Sequence, residues 1–168
     1  MMNFYRYYNH RVDLDNYHKY DELIHHVIWN AFHKCDMSPV EHIIMKSSRH
    51  AFQYVTHVIK GRWEKCEPYI MKDPHAAVNY CRFIFADRWI EAEPYIMTCP
   101  FSAGKYANTI LGGRWLEAEN VIMTDPQAAV MYAYLVIKGR WLEAEQYIQK
   151  QSYWWGQYKR QHNISDYE

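Results

Sequence analysis

Hydrophobic positions between residues 63 and 150 recur with two periods, a short one of three or four residues and a long one of 26. Within one copy, two separate stripes of apolar residues follow the short period, which is typical of amphipathic helices. The first stripe is Trp115, Ala118, Val121 and Ile122, and the second is Ala129, Tyr132, Ala133, Val136 and Ile137. Each copy therefore predicts two short helices.

Capping residues mark the ends of these predicted helices. Asp125-Pro126 places a side-chain acceptor before a residue suited to the first helical turn, and Asp73-Pro74 repeats this signal. Gly139 is expected to be the left-handed residue that ends the second helix. Residues at the same position in other copies are Gly61, Asp87 and Gly113. The predicted unit is helix, tight turn, helix, tight turn.

Several residue types recur at fixed places in the unit. These series are Trp63, Trp89, Trp115 and Trp141, each directly after Arg62, Arg88, Arg114 or Arg140; Tyr54, Tyr80, Tyr106 and Tyr132; and Ala51, Ala77, Ala103 and Ala129. We interpret the tryptophans as core and the tyrosine rings as half-buried, with hydroxyls at an edge. Arg88, Arg114 and Arg140 are each expected to pair with the glutamate three residues on, as Arg88 with Glu91. Glu117 and Glu119 are expected to face water.

A unit this short cannot bury its own apolar face, so the copies must stack into one continuous core. The prediction is an all-α fold, an α-solenoid of helix-turn-helix repeats forming a single domain over residues 1–168. Six registers begin at residues 11, 37, 63, 89, 115 and 141, and the outer ones are degenerate. We divide the domain into a divergent N-terminal unit (1–36), the repeats (37–150) and a C-terminal cap and tail (151–168).

Composition narrows the function classes. Nineteen basic side chains balance nineteen acidic ones, so the chain has no broad positive field, and we do not expect nucleic-acid binding. No apolar run is long enough to span a membrane, and the N-terminus lacks the pattern of a secretory signal. We therefore expect a soluble protein of the cytoplasm, with no membrane partner.

The motif GRWLEAE, followed by DPxxAxxYA and VIKGRW, resembles tandem repeats of uncharacterised proteins from tailed bacteriophages and some large DNA viruses. Its best copies are Arg114–Glu119 and Arg140–Glu145, with Asp73-Pro74 and Asp125-Pro126, and the likeness covers residues 58–150. The resemblance implies a phage or viral source and a helical-repeat fold. It implies no catalytic activity, and it suggests an accessory protein that acts on a host protein.

Cysteine and histidine are the candidates for a metal or catalytic site. Cys66 and Cys81 stand where other copies have alanine, and no zinc-type spacing occurs, so we expect neither metal nor cofactor. Eight of ten histidines precede residue 58. Polar residues on solvated faces would explain them, and a ligand or acid–base role is the alternative. His25, His26 and His33 are retained as candidates for partner binding.

The aromatic and basic tail exceeds what capping the stack requires and is predicted to be an interface. Its candidates are Tyr153, Trp154, Trp155, Tyr158, Lys159 and Arg160. The resulting hypothesis is a non-catalytic protein–protein interaction module that inhibits or redirects a host protein, such as a defence protein. Two alternatives stay open, a self-assembling structural protein and a repeat protein that binds nucleic acid or a nucleotide.

Overall fold

The computed structural model describes residues 4–7, 10–13 and 38–165. Near the N-terminus, strands β1 (Phe4–Tyr7) and β2 (His10–Asp13) form an antiparallel pair. This hairpin was not predicted, although the run Phe-Tyr-Arg-Tyr has the aromatic content that strands favour. The register expected to begin at residue 11 is otherwise outside the described residues, as are His25, His26 and His33.

Residues 38–165 form five helix pairs, which confirms the all-α repeat prediction for this part of the chain. We number the repeats first to fifth, with boundaries at 37–62, 63–88, 89–114, 115–140 and 141–165. The first helices are Ser38–Ile44, Glu64–Ile70, Ile90–Ile96, Leu116–Ile122 and Leu142–Ile148. The second helices are Ser48–Ile59, Pro74–Phe85, Pro100–Leu111, Pro126–Ile137 and Ser152–His162.

Proline changes the geometry of the first helix in two repeats. In the second and third repeats this helix opens with a 3₁₀ turn, Glu64–Cys66 or Ile90–Ala92, before the α-helical part. Pro68 and Pro94 occur there, where later repeats have Asn120 and Gln146. Since proline has no N–H to donate to the carbonyl four residues earlier, the α-helical bond is lost and the tighter turn forms.

The second helices begin as predicted and end differently. Asp73 and Asp125 accept hydrogen bonds from the first backbone N–H groups of their helices. In the first four repeats the last turn is a wide π turn. It ends at a left-handed residue that stands one position earlier than predicted. These residues are Lys60, Ala86, Gly112 and Lys138, with φ between 56° and 66°.

The recurring glycines Gly61, Gly113 and Gly139 are therefore not the left-handed residues. Gly113 and Gly139 donate their N–H groups to Ala107 and Ala133, the carbonyls six residues earlier. In a Schellman motif the residue after the left-handed one donates to the carbonyl five residues earlier, so the bond here is one residue wider, in keeping with the π turn before it. No pattern of hydrophobic spacing indicates that turn.

Two layers of helices enclose the core. Each second helix packs against the next second helix and against the first helix that follows it. The buried side chains between them come from the recurring series, including Ala51, Ala77, Ala103 and Ala129, all fully buried. Cys66 and Cys81 are also fully buried packing residues, as predicted. The second helices thus form one continuous layer, and its outer side is a single surface.

Candidate interaction surface

A buried hydrogen-bond network recurs in the second to fifth repeats. In the third repeat, Arg88 donates through Nε and Nη2 to Oε1 and Oε2 of Glu93, at 2.6 and 3.0 Å. The Tyr106 hydroxyl donates to Glu93 Oε1 at 3.1 Å and accepts from the Trp89 backbone N–H at 2.9 Å. The equivalent bonds form in the other three repeats. We call this set the Arg-Glu-Tyr network.

Three tyrosines of the network, Tyr80, Tyr106 and Tyr132, also connect neighbouring repeats. The hydroxyl of each binds the first helix of its own repeat, while its ring packs against the tryptophan of the next repeat. The ring centroids of Tyr80 and Trp89 are 5.3 Å apart, and those of Tyr106 and Trp115 are 5.2 Å apart. The tyrosine therefore stabilises the fold within a repeat and the stacking between repeats.

The network corrects three predictions. Each arginine pairs with the glutamate five residues on, as Arg88 with Glu93, and not with the one three residues on. Glu119 is buried by this pairing, although its neighbour Glu117 faces water as expected. The tyrosine rings are fully buried rather than half-buried, with 0% of Tyr106 exposed. A glutamate at the edge of the apolar stripe is accommodated because a bidentate arginine and a hydroxyl satisfy both oxygens.

Burial and hydrogen bonding shift the protonation equilibria of this network. Burial raises the pKa of Tyr132 and Tyr158 to about 12 and moves the pKa of Tyr80 higher still. The Arg62 guanidinium, with help from the Tyr80 hydroxyl, lowers the pKa of Glu67. At neutral pH the carboxylate is ionised and the phenol keeps its proton, which is the state that these hydrogen bonds require. The network is therefore structural.

A different set of side chains covers the outer side of the second helices. They occupy the same four positions in every repeat, spaced four, three and one residue apart, and all are at least partly exposed. We call them the second-helix face. Its residues are Arg49, Gln53, Thr56 and His57; His75, Asn79, Arg82 and Phe83; Phe101, Lys105, Asn108 and Thr109; Gln127, Met131, Tyr134 and Leu135; and Tyr153, Gln157, Arg160 and Gln161.

Contacts between repeats make this face continuous. Lys105 Nζ donates to Asn79 Oδ1 at 2.8 Å, across the boundary between the second and third repeats. The ring centroids of His75 and Phe101 are 6.5 Å apart across the same boundary. Residues of the third and fourth repeats line one shared cavity further along.

Charge is segregated between the two layers. Residues 48–59, 74–85, 100–111, 126–137 and 152–162, which form the second helices, contain no aspartate or glutamate. The glutamates of residues 38–165 all lie on first helices: Glu41, Glu64, Glu67, Glu91, Glu93, Glu117, Glu119, Glu143 and Glu145. The second helices carry Arg49, Arg82, Lys105, Lys159 and Arg160. Although the net charge of the chain is zero, the residues of the second-helix face include cations and no carboxylates.

Large exposed hydrophobic side chains lie in the middle of this face. Tyr134 and Phe83 each keep 58% of their surface exposed, and Phe101, Met131 and Leu135 keep 37 to 38%. Met131, Tyr134 and Leu135 belong to the fourth repeat, which lies in the stack between Arg82 and Lys105 of the second and third repeats and Arg160 of the fifth repeat. An apolar centre with a polar rim is the usual anatomy of a protein–protein interface.

The first helices present a more uniform exterior. Ile90, Leu116 and Leu142 are each about two-thirds exposed at one repeated position. The next position is Glu91, Glu117 or Glu143. By contrast, the four positions of the second-helix face change chemical type from repeat to repeat. The chain therefore repeats its first-helix surface and diversifies its second-helix surface.

The tail residues separate into two groups. Tyr153 is 63% exposed and Arg160 is exposed, and both belong to the second-helix face. Trp154, Trp155 and Lys159 are half-buried at the end of the stack. Tyr158 is fully buried and completes the Arg-Glu-Tyr network with Trp141 and Glu145. Tyr158 is thus a core residue, as its position in the tyrosine series requires, and its side chain is not on the surface.

Candidate catalytic and metal-binding groups are few in the described part of the chain. Burial raises the thiol pKa of both Cys66 and Cys81 to about 12, so neither is a nucleophile at neutral pH. Cys99 Sγ lies 3.8 Å from His75 Nε2, and Ser102 Oγ lies 3.0 Å from His75 Nδ1. Among residues 38–165 and the hairpin, no group of three or more such side chains can hold a metal ion.

Two further observations bear on function. None of the helices in residues 38–165 combines the length and apolar character needed to cross a bilayer. Comparison with protein-family models, with curated proteins and with solved structures gives no match.

The sequence carries a signal for the second-helix face that neither hydrophobic spacing nor net charge reveals. Equivalent positions such as Asn79, Lys105 and Met131 share no chemical character, whereas their neighbours in the core repeat closely. Charge counted for each helix, rather than for the whole chain, also distinguishes this face.

Proposed function

We propose that this protein is a non-catalytic protein-binding module and that the second-helix face is its binding surface. The observation that carries the proposal is the coincidence of three properties on one face: no carboxylates, exposed aromatic and aliphatic side chains, and variation between repeats. The stacked first helices and the Arg-Glu-Tyr network hold this face in place. The resemblance to viral repeats suggests that the partner is a host protein.

Charge indicates the kind of partner. Because Arg82, Lys105 and Arg160 lie on a face whose four positions carry no acidic residue in any described repeat, a partner with carboxylates is attracted to this face. The apolar centre at Met131 and Leu135 supplies the area from which water is excluded on binding. The partner surface that fits is acidic at its edges and apolar at its centre.

The experiment is affinity capture from a lysate of the cells in which the gene is expressed, with proteins quantified by mass spectrometry. The wild type is compared with a variant carrying both Tyr134→Ala and Leu135→Ala, and with Leu116→Gln on the first-helix surface. We expect one protein to be captured in defined stoichiometry by the wild type and Leu116→Gln, and to be lost from the double variant. Equal capture by all three would contradict the proposed surface.

A second variant tests the tail. Trp154→Ala combined with Trp155→Ala removes half-buried rings at the end of the stack, so its thermal melting must be compared with that of the wild type. If the tail contributes to the interface, capture falls more than the loss of folded protein explains. Light scattering on the purified wild type checks self-assembly, which predicts a defined homo-oligomer and no captured partner.

Nucleic-acid binding is the second candidate, and the carboxylate-free face favours it. Exposed rings such as Phe83 and Tyr153 could stack on bases, and arginines could contact phosphates. Against this, the four face residues of the fourth repeat include no cation, which interrupts a path for the phosphate backbone. Titration with single-stranded oligonucleotides distinguishes the two, because phosphate contacts make affinity fall steeply with salt.

A further inference from the structure

A cavity opens on the second-helix face between the third and fourth repeats. Its volume is about 300 Å³, which is at the small end of ligand-binding pockets. Phe101, Met131 and Leu135 form its apolar walls, Lys105 lies at one side, and Tyr132 contributes to the lining. The cavity is part of the second-helix face and lies at its apolar centre.

The cavity exists because one side chain is missing. Gly104 occupies the position at which the second and fourth repeats have Val78 and Val130, both buried. A Cβ atom added at Gly104 would have Ile122 Cγ2 and Tyr132 Cδ2 as its nearest neighbours, each 3.9 Å away. This is ordinary van der Waals contact, so the fold has room for a Cβ atom at that position.

Stability alone does not explain this glycine. Gly104 has no positive φ and lies inside a helix, where glycine is less favourable than other residues. Because Gly104 has no side chain, the apolar walls of the cavity also remain open to solvent. Gly104 weakens its own helix and opens an apolar pocket. We interpret this combination as a feature of a binding site for an external group.

The surroundings define the chemistry of that group. Lys105 lies beside the pocket and donates to a neutral amide oxygen of Asn79. Partial burial, and secondarily the charge of Arg82, lowers the pKa of Lys105. This ammonium is therefore held in a positive and partly desolvated place, where an incoming carboxylate would be favoured. The pocket fits a bulky apolar group with negative charge close to it.

We propose that the Gly104 pocket is the anchor site for an acidic protein segment, which inserts one bulky aliphatic or aromatic side chain between the second helices of the third and fourth repeats. Carboxylates beside this anchor contact Lys105 and Arg82. A protein segment is favoured over a small molecule because exposed apolar surface continues past the pocket to Tyr134 and Phe83. This inference rests on the proposed function and specifies its partner.

The test begins with selection of a displayed random peptide library on the immobilised full chain. The enriched peptides are expected to contain a bulky apolar residue with acidic neighbours. One such peptide, labelled with a fluorophore, is then titrated against the wild type and against Gly104→Val, which fills the pocket with the residue that the flanking repeats carry. We expect Gly104→Val to weaken binding by about tenfold or more.

Matched variants make the result specific. Lys105→Glu reverses the charge beside the pocket and should weaken binding, whereas Lys65→Glu makes the same change on a first helix and should leave it unchanged. Replacing the apolar residue of the peptide with alanine should abolish binding. Thermal melting of Gly104→Val, expected at or above the wild-type temperature, shows that any lost binding is not lost folding.

Failure of the anchor site and failure of the surface give different results. If Gly104→Val binds like the wild type while Lys105→Glu and Tyr134→Ala weaken binding, the anchor inference is wrong and the second-helix face stands. If none of the three variants changes binding, the proposed surface is wrong as well. Enriched peptides without acidic residues, or no enrichment on the wild type, would also overturn the inference.

Discussion

The two sides of the second helices differ in how strictly they repeat. On the inner side, Tyr80, Tyr106 and Tyr132 make the same hydrogen bonds to the same partners in successive repeats. On the outer side, each of the four exposed positions carries several chemical types across the five repeats. Stacking demands that each repeat present the same inner surface to its neighbour, whereas the outer side has no such requirement. The comparison therefore assigns stability to one side and recognition to the other.

The largest effect is expected from truncating a repeated core residue. Trp115→Ala removes a side chain that is 3% exposed and packs on Tyr106, so we expect a loss of about 3 to 5 kcal/mol of unfolding free energy. Leu116→Ala, at the adjacent exposed position, should change it by no more than about 0.5 kcal/mol. Urea denaturation of both variants provides the values. Similar losses from Trp115→Ala and Leu116→Ala would mean that buried and exposed positions do not differ in their contribution to stability.

A smaller effect should follow from deleting one hydroxyl of the Arg-Glu-Tyr network. Tyr106→Phe leaves the Trp89 N–H without its acceptor and removes one of the two hydrogen bonds to Glu93 Oε1, which keeps its bond from Arg88 Nε, and we expect a loss of about 1 to 3 kcal/mol. Tyr134→Phe removes a hydroxyl from the exposed face and serves as control. Peptide binding to Tyr106→Phe should be unchanged at temperatures where it is folded. A stable Tyr106→Phe would show that the network contributes little.

The network also predicts how stability depends on alkaline pH. Burial raises the pKa of Tyr132 and Tyr158 from 10 to about 12. Above pH 10 the unfolded chain therefore loses phenolic protons that the folded chain keeps, so stability present below pH 10 declines as pH rises towards 12. Urea unfolding at successive pH values, together with tyrosinate absorbance, measures this. A free energy that stays constant above pH 10 would contradict the buried assignment.

The smallest effect concerns the turn between repeats. Ala86 has φ of 58°, a left-handed conformation that costs a residue with a side chain more than it costs glycine. We expect Ala86→Gly to stabilise the chain by about 0.5 to 1 kcal/mol. Lys60→Gly, at the equivalent left-handed position, should also stabilise it. Thermal melting provides the check. Destabilisation by Ala86→Gly would show that its methyl group contributes more than the strain costs.

The fold was largely predictable from sequence because every repeat must present the same core residues to its neighbours. The tryptophan, alanine and tyrosine series gave the helix pairs, their order and the buried cysteines. The arginine partner could have been predicted from the aligned copies, since Lys65 stands three residues after Arg62 whereas Glu67 stands five residues after it. The π turn and its left-handed residue have no signature at the level of hydrophobic spacing.

The candidate site was harder to predict for a physical reason. A surface has no required periodicity, so its residues become recognisable only after the core positions have been assigned. Gly104 illustrates this. A glycine within a helix is unremarkable by itself, and it stands out only because the equivalent residues of the flanking repeats, Val78 and Val130, are buried core residues. The aromatic tail attracted attention by composition alone, and only part of it, Tyr153 and Arg160, lies on the second-helix face.

The most direct test of the central claim is partner capture by two chains that differ only in where the same charge reversal is placed. Lys105→Glu lies on the second-helix face and Lys65→Glu on a first helix, and both positions are on the outside of the stack. We predict that both variants fold like the wild type, that Lys65→Glu retains the captured protein and that Lys105→Glu loses it. Retention by Lys105→Glu with loss by Lys65→Glu would place recognition on the opposite layer and contradict the account.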